Sequence, residues 1–296
     1  MRLLTKFTLI FASVFGIGLA VVGYVAHRFL DQNARDQVLQ QARLMMETAG
    51  SARDYTTHLI KPLLEGEQAR IRTFLPETVP AFAATESFTY LRKKYPDYTY
   101  REATLNPTNL RNRAVEWEAD IINSFRNQPQ SRELVGERST PTGPSLFLAR
   151  PISASAPCLE CHDTPRSAPA ALIRSYGSQH GFGWKLDEVV GAQIVSVPEA
   201  LPVQLAEAGF RTLMIDLGLI FLAALIVLDI VVVVAVSRPV SRLSALADEI
   251  SLGKLDAPEL PVNGEDEVAV LAGSFNRMRR SLVQAMKLLE QPDGAA

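Results

Sequence analysis

Cys158, Cys161 and His162 are the residues of this chain whose types and spacing point most clearly to chemistry. They form a C-x-x-C-H motif, the signature at which c-type haem is attached. Two thiols at this spacing can each form a thioether to a vinyl group of one haem, and the adjacent imidazole can bind the iron as proximal ligand. The chain has 2 cysteines in all, so the motif predicts one covalent haem c and leaves no thiol for a second haem.

Three other interpretations of the cysteine pair compete with haem. A thioredoxin-like pair begins a helix after a strand, whereas here a Pro/Ser/Ala segment, 151–157, precedes the motif. A zinc site needs two more ligands, and the other imidazoles, His27, His58 and His180, are not at ligand spacing to the pair. A structural disulfide remains open, but it would not explain the adjacent His162.

The second axial position of the iron has two candidate ligands and one further alternative. His58 lies on a long predicted helix, and His180 lies in a Gly-flanked loop after the motif. Either could equally be an ordinary surface histidine. The alternative is an open or water-bound position, which a gas sensor needs. His27 is expected to be too far away, at the membrane boundary.

Two apolar runs predict membrane-spanning helices at 7–26 and 213–236. The flanking cations are Arg2 and Lys6 before the first run and Arg238 and Arg242 after the second. The positive-inside rule then places 1–6 in the cytoplasm and 27–211 outside the inner membrane, in the periplasm of a Gram-negative bacterium. A cleaved signal peptide is the alternative for the first run, but its small-residue site lies inside the apolar stretch.

Asp229 lies near the middle of the second run, where a carboxylate costs about 2.5–3.5 kcal/mol on insertion scales. It is expected to face a helix–helix interface. A proton relay is the alternative, although the first run offers no ionisable partner. The net charge of −2 carries no basic excess that would suggest nucleic acid.

After the second run, apolar residues recur at alternating spacings of three and four, which predicts a helix with an a/d seam. The seam is Val268, Leu271, Phe275, Met278, Leu282, Ala285 and Leu289. Together with Arg238-Pro239, Gly253 and Asp266-Glu267-Val268, it resembles a HAMP domain over 237–289. The resemblance implies a homodimeric, parallel four-helix bundle that relays motion from membrane helices.

The tail, 290–296, carries no kinase, cyclase or other catalytic module. We therefore expect the protein not to be an enzyme. Its signal would pass to a separate cytoplasmic effector, such as a histidine kinase or a cyclase.

The outer segment combines helices with short strands, which indicates an α+β, PAS-like core. Helices are predicted at Phe29–Leu64, Ala84–Tyr95 and Val115–Arg126, and strands at Tyr98–Leu105, Glu133–Arg138, Leu146–Ile152 and Val189–Val197. An apolar stripe on the first helix, which includes Ala34, Val38 and Ala49, is expected in a core or a dimer seam.

This segment resembles a family of PAS-like c-type haem domains, which occur alone in cyanobacteria and ahead of HAMP segments in bacterial receptors. The shared residues are Asn106-Pro107-Thr108-Asn109, Trp117-Glu118, Ala149-Arg150-Pro151, the haem motif, Gly181-Phe182-Gly183-Trp184 and the strand from Gly191. The resemblance implies haem-based redox or gas sensing. One family member has a Cys opposite the proximal His, and this chain has no third Cys.

The predicted function is therefore a homodimeric transmembrane sensor that detects redox state or a small gas at one haem. The alternative is a membrane-anchored c-type cytochrome that transfers electrons. A HAMP domain favours the sensor, because an electron carrier needs a tether but no cytoplasmic relay. Arg150, Arg166 and Arg174 are candidates to neutralise haem propionates.

Overall fold

The structure, a computed structural model, describes residues 3–254, 256, 258–262 and 264–290. Arg2 and residues 291–296 of the predicted tail lie outside this description. The chain divides into two compact units. One unit is His27–Phe210, and the other combines the segments before and after it.

Nine helices and four strands occur in the described part of the chain. The helices are α1 (Leu3–Tyr55), α2 (Lys61–Ile71), α3 (Pro80–Arg92), α4 (Glu116–Asn127), α5 (Ala156–His162), α6 (Ala170–Tyr176), α7 (Ala200–Val232), α8 (Arg238–Ser251) and α9 (Glu267–Glu290). The strands are β1 (Thr99–Thr104), β2 (Leu134–Thr140), β3 (Gly143–Ser153) and β4 (Val189–Pro198). The predicted α+β class and all four predicted strands are confirmed.

The four strands form one antiparallel sheet in the order β1-β4-β3-β2. Because side chains alternate along a strand, each face of the sheet buries its own apolar cluster. One cluster joins α1 and α3 to Tyr100, Leu148 and Val195. The other joins α4 to Ala103 and Ile194. The sheet is thus covered by helices on both faces.

The apolar stripe of α1 packs into the first of these clusters. Val38, Ala42, Met46 and Ala49 are each no more than 2% exposed. Their spacing of four, four and three places them on one helical face. The small side chains of the two alanines let the helix approach the sheet closely. The stripe was expected in a core or in a dimer seam, and in the sensor unit it packs in the core.

The first helix was predicted to end at Leu64, but helical structure continues to Ile71 through one π-helical turn, Thr56–Ile60. In that turn the Lys61 N–H donates to the carbonyl of Thr56, five residues back. A proline ring clashes with the carbonyl four residues before it, and a π-turn is one way in which a helix accommodates this. A second π-turn, Val233–Ser237, likewise precedes Arg238-Pro239.

Two helical segments, Leu4–Ile71 and Pro202–Ser251, are long and apolar enough to cross a membrane, as judged by length and composition. Their apolar parts contact each other: the rings of Phe15 and Phe221 stack at 5.3 Å. The Thr8 hydroxyl lies 2.8 Å from Oδ1 of Asp229. Asp229 therefore faces the first apolar helix, where its polar neighbour is a hydroxyl.

The two helices after the second apolar segment, α8 and α9, are joined by a connector that the structure describes in part. Asp266 caps α9, because its Oδ1 accepts a hydrogen bond from the Ala269 N–H at 2.7 Å. The side chain of Asn276, which is 3% exposed, binds both the N–H and the carbonyl of Leu260, at 3.0 and 2.9 Å. This amide fastens the connector to α9.

Most apolar seam residues of α9 line an open groove rather than a closed core. The groove has a volume of about 490 Å³ and is bordered by Ile250, Phe275, Met278, Leu282 and Ala285. Met278 remains 60% exposed. The side chain of Leu289, at the end of the seam, lies outside the description.

Candidate haem-binding site

The two cysteines and His162 lie together on α5, a short helix that follows the end of β3. Residues at spacings of three and four share one face of a helix, so Cys158, Cys161 and His162 point to the same side. Both thiols are free and half-buried. Burial, with Glu160 beside it, raises the pKa of the Cys161 thiol.

His162 is held by one ring nitrogen. Its Nδ1 lies 2.7 Å from the carbonyl oxygen of Gly181, which can only accept a hydrogen bond, so the geometry assigns the proton to Nδ1. Nε2 is then the nitrogen with a lone pair available for a metal. Burial lowers the pKa of His162 despite that hydrogen bond, which favours the neutral, metal-binding form.

The imidazole is also fixed from the side. The ring of Trp184 stacks on it with centroids 3.9 Å apart and planes 9° from parallel. The backbone N–H of Trp184 donates to the carbonyl of His162 at 3.2 Å, and the backbone N–H of Gly183 donates to the carbonyl of Asp163 at 2.8 Å. The loop after α6 thus contacts both the imidazole ring and the backbone at the end of α5.

Asn106, just beyond β1, anchors this loop. Its Oδ1 accepts from the N–H of Gly181 at 3.1 Å, and its Nδ2 donates to the carbonyl of Phe182 at 3.3 Å. Gly181 has φ of +83°, and a Cβ there would lie 2.6 Å from the backbone nitrogen of Thr108. The close approach therefore requires glycine. The hydroxyl of Thr108 lies 3.3 Å from Nδ1 of His162.

The long N-terminal helix passes beside α5 on another side. Lys61, which follows the π-turn, has its Nζ 3.6 Å from Oε2 of Glu160 in the motif. The helix thus runs from the core of the sensor unit to the predicted haem site.

The two candidate distal ligands occupy different surroundings. His58 is exposed in the π-turn, with Nδ1 2.9 Å from the carbonyl of Asp54. π-turns often occur at functional sites. His180 is half-buried and directly precedes Gly181, whose carbonyl oxygen contacts Nδ1 of His162. The assignment of the second axial ligand stays a prediction.

The arginines that were expected near haem propionates have other contacts. Arg150 bridges Glu47 and Glu133, at 2.7 and 3.2 Å. Arg174 donates to the backbone carbonyl of Arg72. Arg166 is exposed. The described residues contain no group of three or more His, Cys, Asp or Glu side chains that could hold a metal ion.

Asn106, Gly181 and Trp184 belong to the motifs that the chain shares with the haem-domain family, but their contacts with one another and with His162 were not predicted. The Gly-Phe-Gly-Trp sequence was the available signal, because closely spaced glycines mark backbone positions with special geometry. The contact between Lys61 and Glu160 had no signal in the sequence.

Comparison with known proteins gives two matches to family models. The model described as Tll0287-like matches residues 31–198, and the HAMP domain model matches residues 231–284. No curated protein matches the chain. A solved structure, the crystal structure of the cyanobacterial haem protein Tll0287, is 17% identical, with a TM-score of 0.42 over 54% of this chain and 94% of its own.

Proposed function

Since the chain belongs to the Tll0287-like family and joins that domain to a HAMP domain, we propose that it is a transmembrane haem-based sensor of redox state or of a small gas. It carries the state of one haem c to a separate cytoplasmic effector, such as a histidine kinase or a cyclase. The observation that carries the proposal is the arrangement on α5, where His162, with its Nδ1 held by the Gly181 carbonyl, shares a helical face with Cys158 and Cys161.

The residues of α5 fit a covalently attached haem. Cys158 and Cys161 would supply the two thioethers, and His162 would supply the proximal nitrogen. When bound, the haem provides an iron that can change oxidation state or bind a diatomic gas. The stacked Trp184 and the carbonyl of Gly181 keep the imidazole in one orientation and one tautomer.

The second axial ligand of the iron would come from the long helix or from the loop after α6, or the position would be open. His58 is the first candidate, because it lies in the π-turn just before Lys61, the residue that contacts Glu160 of the motif. His180 is the second candidate. If neither binds, water or a gas molecule would occupy the position.

Two helices would carry the signal to the membrane. α1 runs without interruption from the apolar segment into the core of the sensor unit, and α7 follows the end of the central strand β4 after one residue, Glu199. Both helices are therefore joined to the unit that contains the haem motif. A shift of either one would reach the HAMP helices.

We propose a homodimer with the sensor unit in the periplasm and the HAMP helices in the cytoplasm. The flanking cations Lys6, Arg238 and Arg242 support this orientation. The open groove that Phe275, Met278 and Leu282 line supports the dimer, because a second copy of α8 and α9 would cover these side chains.

The proposal is tested on the full chain, matured in a host that attaches c-type haem and purified in detergent. A pyridine haemochrome assay should give one haem per chain, and Cys158→Ala and Cys161→Ala should each abolish one thioether. Ser155→Ala, which alters the residue beside Cys158 without removing a thiol, is the control. An assay without a haem signal for the unmodified protein refutes the proposal.

Absorption spectra of oxidised, reduced and CO- or NO-treated protein distinguish the two proposed signals, redox state and a small gas. A spectrum that changes with CO indicates an open position and a gas input. One that changes only on reduction indicates a redox input. If His58 is the distal ligand, His58→Ala converts a low-spin spectrum to high-spin, and an unchanged low-spin spectrum removes His58 from the site.

A further inference from the structure

An arm of the chain, residues 57–77, stands outside the hydrophobic core of the sensor unit. It consists of the rest of the π-turn, then α2, and then the segment that returns from α2 to a 3₁₀ turn, Pro76–Thr78. The arm begins and ends beside two buried threonines, Thr56 and Thr78, which are 1% and 7% exposed. Between them none of the residues 57–77, all of which the structure describes, is buried.

Hydrogen bonds fix the base of the arm and join its two limbs. The Thr56 hydroxyl donates to the carbonyl of Ala52 at 2.8 Å, and the Thr78 hydroxyl donates to the carbonyl of Leu75 at 2.7 Å. The backbone N–H of Leu75 donates to Oε1 of Gln68 on α2 at 3.0 Å. The returning segment is therefore tied to α2, and the arm can move as one body about its base.

At the start of α2 the arm contacts the haem motif itself. Nζ of Lys61 lies 3.6 Å from Oε2 of Glu160, which lies between the two cysteines. The two side chains are 36% and 66% exposed. An ion pair so accessible to water favours the paired state by about fivefold at most. The contact therefore orients the arm without fixing it.

At the end of α2 the arm contacts α6, the helix that follows the motif. The chain turns there at Arg72, which has a φ of +54°, and the carbonyl of Arg72 accepts a hydrogen bond from Nη2 of Arg174. The ring of Tyr176 meets that of Phe74 edge-on, with centroids 5.7 Å apart and planes at 87°. Such a pair of rings favours contact by about two- to tenfold. The arm thus rests on the motif-bearing segment, α5 with α6, at both of its ends.

The docking of the arm is separable from the folding of the core. The residues of α1 that pack on the sheet, among them Val38 and Ala49, are no more than 2% exposed, whereas the arm has only the contacts of a surface element. Segments with few buried apolar contacts open at a lower free energy than the core does. The arm can therefore leave the motif-bearing segment while the sheet and α1 stay folded.

We propose that the arm couples the motif-bearing segment to the long helix by docking on it and being released from it. The inference rests on the haem site proposed above. α2 continues α1 through the π-turn, in which the N–H of Lys61 donates to the carbonyl of Thr56. A shift of α5 or α6 therefore reaches α1 through the arm. By thermodynamic linkage, a haem state that strengthens docking is itself stabilised by docking to the same extent.

Hydrogen exchange of the full, haem-loaded chain in detergent measures the docking. An isolated helix of 11 residues is marginal in water, so the amides of α2 lose their protection when the arm is released. Lys61→Glu and Glu160→Lys each replace an attraction by a repulsion and should speed their exchange about fivefold. The double variant Lys61→Glu/Glu160→Lys restores opposite charges and should return the rate towards that of the unmodified protein.

The aromatic contact gives a second test that leaves α5 unaltered. Tyr176→Leu removes the ring and should speed the exchange of α2 by up to about tenfold, whereas Tyr176→Phe keeps the ring pair and should not. Arg70→Gln is the matched control, because Arg70 pairs with Glu67 within α2. It should change the rate by no more than about twofold.

Two independent measurements test the coupling to the haem. Exchange of the arm should differ between the oxidised and reduced protein, or between the reduced and the CO-treated protein, and its direction identifies the state that favours docking. The variant Lys61→Glu/Tyr176→Leu, which releases the arm, should then disfavour that same state. A fivefold difference in docking corresponds to a change of about 40 mV in the midpoint potential, or of about fivefold in CO affinity. A contact that is merely structural would not link the two measurements.

Three results overturn the inference and leave a haem-loaded sensor intact. The first is a charge-swapped double variant that does not restore the exchange rate. The second is exchange of the arm at equal rates in all haem states. The third is a released variant whose potential and CO affinity are unchanged or shift against the direction that exchange indicates. A chain that carries no haem in the pyridine haemochrome assay, made beforehand, overturns both proposals.

Discussion

Asn106→Ala tests whether the loop behind His162 positions the proximal ligand. The change removes two hydrogen bonds, one from the N–H of Gly181 at 3.1 Å and one to the carbonyl of Phe182 at 3.3 Å. At about 0.5–1.5 kcal/mol each, their loss should destabilise the sensor unit by about 1–3 kcal/mol. The N–H of the buried Gly181 would be left without its partner, which favours the upper half of that range.

The same substitution should also change the midpoint potential of the proposed haem. With the loop released, the Gly181 carbonyl would hold Nδ1 of His162 less firmly, and the imidazole would donate less electron density to the iron. A loss of about 1 kcal/mol of preferential stabilisation of the oxidised state would raise the midpoint potential by about 40 mV. Potentiometric titration and denaturant unfolding of the full chain in detergent measure the two effects.

Asn109→Ala is the matched control. This asparagine lies in the same loop, but its Oδ1 accepts only from the N–H of Arg111, at 3.1 Å, and it caps a short 3₁₀ turn. It should lower stability by no more than about 1 kcal/mol and leave the potential unchanged. If Asn106→Ala and Asn109→Ala have equal effects on the potential, the loop does not position His162 and the reasoning fails.

Three further outcomes are expected. Thr8→Val removes the hydrogen bond to Asp229 and should weaken the pairing of the apolar helices by about 0.6 kcal/mol, seen as a lower thermal midpoint in detergent; no change would mean that Asp229 has another partner. Asn276→Ala removes both hydrogen bonds to Leu260 and should cost about 1–3 kcal/mol, with faster proteolysis of the connector than in Gln284→Ala, an exposed position; equal rates would contradict this. Burial raises the pKa of Glu199 above 4.5, so its contribution to stability is lost as the pH rises through the folded-state pKa. Glu199→Gln should therefore raise the thermal unfolding midpoint at pH 7 but not below pH 4.5. A higher midpoint at both pH values would show that the ionisation of Glu199 is not the cause.

Much of the architecture follows from local patterns. All four strands were predicted from the local sequence, the first of them from the alternation of Thr and Tyr, and the structure contains each of them. The helices after the second apolar segment were predicted from the a/d spacing of their apolar residues, because this spacing is a property of neighbouring residues. The helix end predicted at Leu64 was wrong, because a π-turn accommodates Pro62 and the helix continues to Ile71.

The haem motif is likewise local information: two thiols and an imidazole within five residues are visible in any conformation. What holds that imidazole is not local. Gly181 reaches His162 across 19 positions and is itself held by Asn106 across 75 positions, and Arg53 meets Glu102 across 49 positions. Single residues of these common types carry no periodic signal, so only the packing of α1, the sheet and the loops determines which of them meet. Reactive groups could be recognised from their order along the chain, whereas their orientation and electrostatic partners depend on contacts that exist only after the chain has folded.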